Sequence, residues 1–197
     1  MQIPRKILET NRLIFRHLIP EDLDSLYALY CDPDVKQFIP DAPLTYEETR
    51  EELEWFLNGH PKHPELGLWA TIHKETGDLI GRCGLLPCNI DEQAEVEVAY
   101  LLAKAYWGQG LGTEAARAIA DYAFERLKLP RLICVIDRDN QASIKVAKKI
   151  GMIYVKEGKD EKGPYLMYAM SRQTSESRDN EQPSVNQMRS IAIPPIS

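Results

Sequence analysis

The run YWGQGLGTEAARAIADYAF, Tyr106–Phe124, decides the reading of this chain, because three alternate glycines (Gly108, Gly110 and Gly112) lead directly into a strongly helical segment. Glycines at a helix start leave backbone N–H groups uncovered at the positive end of the helix dipole, where an anion can sit against bare backbone. A purely structural reading is a tight strand-to-helix turn that needs positive φ. The spacing narrows the ligand. A dinucleotide-binding loop would read GxGxxG after the first strand of a parallel sheet, and the place of its third glycine is Thr113. A Walker A loop would end in Gly-Lys-Ser/Thr, yet Gly112 is followed by Thr113 and Glu114. With no lysine to neutralise a triphosphate, the loop suits a lighter anion such as a pyrophosphate.

Outward from the glycines, the patterning is that of one α/β domain. After the loop, Ala116, Ile119, Ala120, Ala123 and Leu127 form an apolar stripe at helical spacing. RLICVID then reads as a short buried strand, Asn140 as the N-cap of a helix through QASIKVAKKI, and Gly151 as its C-cap. MIYVKEG and PYLMYAM read as two further strands around a Lys-Gly turn. Before the loop, LGLWATIHK, LIGRCGLLPC and AEVEVAYLLA read as an antiparallel meander, with Glu75-Thr76-Gly77-Asp78 and NIDEQ as its turns. Further back, RLIFRHL (Arg12 to Leu18) alternates as a half-buried strand, and Leu23, Leu26, Tyr27 and Tyr30 share a helical face that Pro33 closes. LTYEETREELEWFLNGH opens with Thr45 and Glu48 at capping-box spacing and closes at Asn58-Gly59.

The 197 residues, 44% hydrophobic and 27% charged, suit a single core. A formal net charge of −6 argues against non-specific nucleic-acid binding and fits a basic partner better. The four cysteines form neither a CxxC pair nor a disulfide framework, and no apolar run approaches a membrane span, so a cytoplasmic location is expected. From Gln173 the chain loses periodicity and is rich in Ser, Asn, Gln and Pro, so a disordered tail (173–197) is expected, its IAIPPIS end a docking peptide or nothing at all.

The order of strand, two helices, meander, glycine loop with helix, strand, DRDNQASIKVAKKIGM and two strands resembles the GCN5-related N-acetyltransferase (GNAT) superfamily from Ile7 to Ser171. EVAYLLAKAYWGQGLGTEA with NQASIKVAKKIGM looks like its RimJ/RimL-like branch of ribosomal-protein N-terminal acetyltransferases. That resemblance implies a mixed, mostly antiparallel sheet of about seven strands with about four helices, acetyl-CoA as co-substrate, no metal, a primary-amine acceptor such as a protein N-terminus, and room for a homodimer. It also implies that the backbone amides of Gln109, Gly110, Leu111, Gly112 and Thr113 hold the pyrophosphate, with Gly110 and Gly112 at the two signature small positions. Val98, Ala99, Tyr100 and Leu101 would line the cofactor. Trp107 stands where the wider superfamily often has Arg or Gln, which removes a side-chain phosphate contact and keeps the amide cradle.

Attack on a thioester needs a neutral amine, an oxyanion donor and a way for the thiolate to leave. Glu97 matches an acidic position of the branch and is the first choice of base. Alternation puts it on one face with Glu95, so a merely solvated face is the rival reading. His17 and His73 are alternatives, whereas His60 and His63 lack a third metal ligand. By the resemblance, a backbone N–H near Tyr100 or Leu101 serves the oxyanion, and Asn140, also a helix cap, bonds the pantetheine arm. The superfamily's frequent tyrosine acid is Ala147 here, leaving Ser143 to donate to the sulfur or simply to satisfy the helix start. Tyr27, Tyr30, Phe38, Trp55, Tyr165 and Tyr168 supply aromatic surface for an acceptor or for the core, and EETREELEW is an attraction for a basic acceptor or a solvated helix face. Cys83, Cys88 and Cys134 have no recognisable His partner, which favours direct transfer over a ping-pong route. The rivals are a small-molecule amine acetyltransferase and a non-catalytic CoA-binding module.

Overall fold

The computed structural model describes residues 5–172 apart from 40, 58, 61, 62 and 162, so the expected disordered tail lies outside the described residues. Its strands are β1 (Lys6–Glu9), β2 (Leu13–Arg16), β3 (Gly67–His73), β4 (Leu79–Ile90), β5 (Gln93–Leu102), β6 (Arg131–Asp137), β7 (Ile153–Asp160) and β8 (Gly163–Ser171). They form one sheet in the order β1-β2-β3-β4-β5-β6-β8-β7, antiparallel except where β5 meets β6. The helices are α1 (Leu23–Cys31), α2 (Pro33–Lys36), α3 (Tyr46–Phe56), α4 (Leu111–Glu125) and α5 (Gln141–Lys149), with short 3-10 turns before α1 and before the glycine loop.

Eight strands and five α-helices are thus described where about seven and four are expected, and both differences lie at the N-terminal side. Within the expected strand Arg12 to Leu18 only Leu13–Arg16 pairs with β3, while Lys6–Glu9 adds an edge strand ahead of it. Pro33 does close α1, but its fixed φ also suits a first helical position, and the Asp32 carboxylate caps α2 by accepting from the Asp34 N–H at 2.9 Å.

Local signals account for most of the rest. Thr45 and Glu48 form the reciprocal capping box of α3. Asp91 and Glu92, both at positive φ, make the two-residue turn from β4 to β5, and Gly77 supplies the positive φ of the β3–β4 turn. The α4 stripe buries Ala115, Ala116, Ile119, Ala120 and Ala123 against Trp69, Phe15, Leu85 and Val98, with Ile144 and Ala147 of α5 on the same side. Across the sheet, Leu26, Leu29 and Tyr30 of α1 and Leu53 of α3 pack with Ala70 and Leu101. Each large side chain so buried contributes about 2 kcal/mol, which fixes the sheet between two helical layers. A buried polar group ties the second layer down: Arg82 of β4 donates to the Tyr30 hydroxyl, which donates to Glu52 of α3, and Arg82 stands 3.5 Å from the same carboxylate. Burial first, then the Glu52 charge, pushes the Tyr30 hydroxyl up, so it stays a donor at neutral pH.

Candidate active site

β4 holds β5 over ten residue pairs, and β8 holds β6 over seven. Between these two halves, β5 and β6 share a single register pair, Glu97 with Ile133. The ladder therefore ends at that point, and the strands part beyond it between the α4/α5 face and the α1/α3 face. At the apex of this opening Glu97 Oε1 accepts from the Val135 N–H at 3.1 Å, supplying a partner that the missing ladder would have supplied. One step on, the Cys134 thiol donates to the Val98 carbonyl at 3.3 Å.

Those contacts also settle which β5 groups face the gap. The Val98 carbonyl points to β6, whereas the Leu101 carbonyl points to β4, only 2.1 Å from where a Cβ on Gly81 would lie. By strand alternation the N–H and C=O of Tyr100 point into the opening and those of Leu101 do not. The Tyr100 side chain crosses to α5, its hydroxyl donating to the Ser143 carbonyl at 3.1 Å, and burial holds that hydroxyl protonated well past neutral pH. Asn140 Oδ1 accepts from the Ser143 N–H at 3.0 Å, so its capping role is observed and its amide nitrogen is left for a second partner.

The glycine loop leads from the end of β5 into α4. Gly108 and Gly110 have φ of 75° and 80°, which the turn itself requires. Gly110 stands at the N-cap of α4 and, having no side chain, leaves the first-turn N–H groups of Leu111, Gly112 and Thr113 without a side-chain cap. Gly112 is different: its φ is ordinary, and an added Cβ would meet only Val146 Cγ2, at a comfortable 3.7 Å. Neither backbone conformation nor packing within the chain calls for glycine there. Glycine there leaves the first-turn backbone bare, and uncapped amides at a helix start can accept an anion.

Residues 12–153 match the model of the acetyltransferase (GNAT) domain. The chain belongs to the GNAT acetyltransferase family. This acetyltransferase is 35% identical over 162 residues to the uncharacterized protein YkkB of Bacillus subtilis, which covers 82% of this chain and 93% of that one. It is 30% identical over 151 residues to the uncharacterized N-acetyltransferase p20 of Bacillus licheniformis, covering 77% and 83%. A GNAT-family acetyltransferase structure from Bacillus anthracis superposes with a TM-score of 0.72 at 23% identity, covering 84% of this chain and 98% of that one. A RimL ribosomal L7/L12 α-N-protein acetyltransferase shares the fold at a TM-score of 0.71 and 18% identity, covering 86% and 96%. A spermidine N(1)-acetyltransferase of Escherichia coli K12 is 32% identical over 76 residues, which is 38% of this chain and 40% of that one.

Within this GNAT domain the structure separates residues that sequence treats alike. Glu95 shares a face with Glu97 but is paired with Arg131 at 3.1 Å, on the β6 side of the opening. His17 lies beside β1, three strands from β5 and so about 14 Å across the sheet. His73 is tied to the β3–β4 turn through Thr76 Oγ1 at 3.3 Å, seven residues along the meander from the partner of Glu97, or about 23 Å. Ala147 is fully buried, and Trp107 donates its indole N–H to the Leu102 carbonyl at 2.7 Å, fastening the loop to β5. Among the described residues no group of three or more His, Cys, Asp or Glu is placed to hold a metal ion, and no helix is long and apolar enough to cross a membrane. Of the aromatic candidates, Tyr30, Tyr165 and Tyr168 are core, while Trp55 is 55% exposed.

The cysteines near the opening are held as thiols. Burial pushes Cys83 up to about 11, and burial with the charges of Glu97 and Glu95 pushes Cys88 up to about 12. Cys134 is raised well above the usual thiol range by burial, then by Glu97. At pH 7.5 none supplies a thiolate. Incubation with acetyl-CoA in the absence of amine is expected to leave no acetyl-thioester on the protein by intact mass, and a stoichiometric adduct would overturn direct transfer.

Sequence reasoning took Arg12 only as the start of a strand and passed over Thr10, although both donate to Glu114 in the first turn of α4. The signal was Glu114, a carboxylate in the first turn of a helix whose N-terminus is read as an anion site, which demands a nearby cation.

Proposed function

We propose that this GNAT enzyme transfers acetyl from acetyl-CoA directly to the α-amine of a protein or peptide N-terminus. The observation that carries the transfer is the opening between β5 and β6, which lets a donor bound on the α4/α5 face meet an amine arriving from the α1/α3 face. Acetyl-CoA supplies the thioester. The chain's own groups do the rest. The uncapped amides from Gln109 to Thr113 hold the pyrophosphate, and Asn140 steadies the pantetheine arm with the amide nitrogen that its capping bond does not use. Glu97, at the apex, takes the amine's proton directly or through one water. The Tyr100 N–H, aimed into the gap, stabilises the tetrahedral oxyanion. The Ser143 hydroxyl donates to the departing sulfur.

On the acceptor side, a cavity of about 590 Å³ lies over the same face as Glu97, lined by Asp41, Glu48, Glu51, Glu52, Trp55 and Phe56. Carboxylates beside an exposed indole favour a cationic acceptor. The RimL-like motif supports a peptide N-terminus, and the 76-residue likeness to a spermidine acetyltransferase supports a polyamine as the second reading. We place the enzyme in the cytoplasm. Release of free CoA thiol across N-terminal peptides, polyamines and aminoglycosides is expected to depend on peptide. A signal with spermidine alone would move the assignment to the second reading, and CoA binding without turnover on any amine would favour a binding module.

A further inference from the structure

Gly108 and Gly110 give the loop two hinges at positive φ, and peptides beside glycine reorient readily because glycine populates both signs of φ. In a trans peptide the carbonyl and the following N–H point opposite ways. The orientation of the Gln109–Gly110 peptide therefore decides whether an anion beside the loop meets an N–H or a carbonyl oxygen. Something must fix it.

Arg12, in the turn between β1 and β2, does so from 97 residues away: its Nη1 donates to the Gln109 carbonyl at 2.9 Å. The same guanidinium forks onto Glu114 of α4, with Nε and Nη2 at 2.7 and 2.6 Å from Oε2. Glu114 Oε1 accepts from the Arg12 N–H at 3.0 Å and from Thr10 Oγ1 at 2.5 Å, and Thr10 in turn accepts from the Leu13 N–H at 3.0 Å. Burial alone would raise the Glu114 carboxyl, but the bonds from Thr10 and Arg12 outweigh it and hold it below the usual carboxylate range. The pair is therefore charged at neutral pH and is lost only as pH falls through that lowered value. A first-turn carboxylate would otherwise repel an anion at the helix start, and the fork cancels that charge.

We propose that Arg12, locked by Glu114 and Thr10, is a positioning residue that turns the Gln109–Gly110 peptide so that the Gly110 N–H faces the pyrophosphate. The inference rests on the acetyl-CoA reading of the glycine loop and deepens it: donor affinity is set in part by the β1–β2 turn. A Lys in place of Arg12 keeps the charge and loses the fork.

The experiment compares binding of CoA with binding of pantetheine, which lacks the pyrophosphate, in the full chain, with thermal unfolding as a control. For Arg12→Ala the dissociation constant for CoA is expected to rise about tenfold and that for pantetheine to stay within about twofold. The double variant Arg12→Ala/Glu114→Gln removes both charges and is expected to keep the same defect, since peptide orientation and not charge alone is lost. Arg12→Lys, which disturbs folding least, is expected to fall between. Equal losses for both ligands would reduce Arg12 to a fold-holding residue and overturn the proposal, as would no loss for either. Wild-type protein that binds CoA no better than pantetheine would overturn the loop reading itself, and the brace with it.

Discussion

Glu97→Gln is expected to lower kcat by about 10²- to 10⁴-fold while CoA affinity is unchanged. The prediction is sharp because the substitution separates two roles that one carboxylate now combines. Gln keeps an oxygen that can accept from the Val135 N–H, the 3.1 Å bond that closes the apex of the opening. It cannot take a proton from an ammonium group. Glu97→Ala loses both functions, and Val135 is left with an N–H facing the gap, at a cost of about 1–3 kcal/mol. Thermal unfolding should therefore distinguish Ala from Gln, whereas turnover should fail in both. An unchanged kcat in the Gln variant would leave Glu97 as the apex bond alone, with the proton going elsewhere. A Gln variant that melts as early as the Ala variant would mean that its lost turnover reports geometry, and the base assignment would have no support from it.

What the sequence discloses here is what local chemistry decides. The Thr45–Glu48 box, the Asn140 cap, the β3–β4 turn and the α4 stripe depend on neighbours within a few residues, and each stands where the pattern puts it, except that α4 ends at Glu125 and leaves Leu127, partly buried, beyond the helix. The site depends on partners far along the chain. Alternation places Glu95 and Glu97 on one face, but only the positions of Arg131 and Val135 make one an ion-pair partner and the other the apex. Tyr100 and Leu101 are equally good oxyanion candidates in a string of letters. They differ because β4 takes up the polar groups of one and the opening leaves those of the other facing inward. Pro33 ends α1 as the pattern has it, but the same fixed φ also starts α2, which the pattern does not announce. The Arg12 fork spans the β1–β2 turn and α4, and no periodicity in either segment announces it.

Gly112→Asp is expected to weaken CoA binding about 100-fold or more while leaving thermal stability unchanged or raised, and Gly112→Ala to move both quantities in the same directions by less. Opposite signs are what make the position informative. At Gly110 any side chain is strained by the positive φ of 80°, so a loss of binding there could not be told from a distorted loop. Gly112 has ordinary backbone and room for a Cβ, which would make an ordinary contact with Val146 Cγ2 at 3.7 Å. Ala at this first-turn position is favoured over Gly by up to about 0.5 kcal/mol, and Asp gains about 0.3–1 kcal/mol from the helix dipole. Both substitutions improve the helix by the criteria that usually govern helix starts. A chain selected for stability alone would have no reason to keep glycine here, so the residue that improves the helix should be the one that blocks the ligand. CoA affinity that survives Asp would remove the pyrophosphate from this loop. A fall in stability with both variants would show instead that the space before Gly112 is closed by the chain, and the glycine would then need no ligand to explain it.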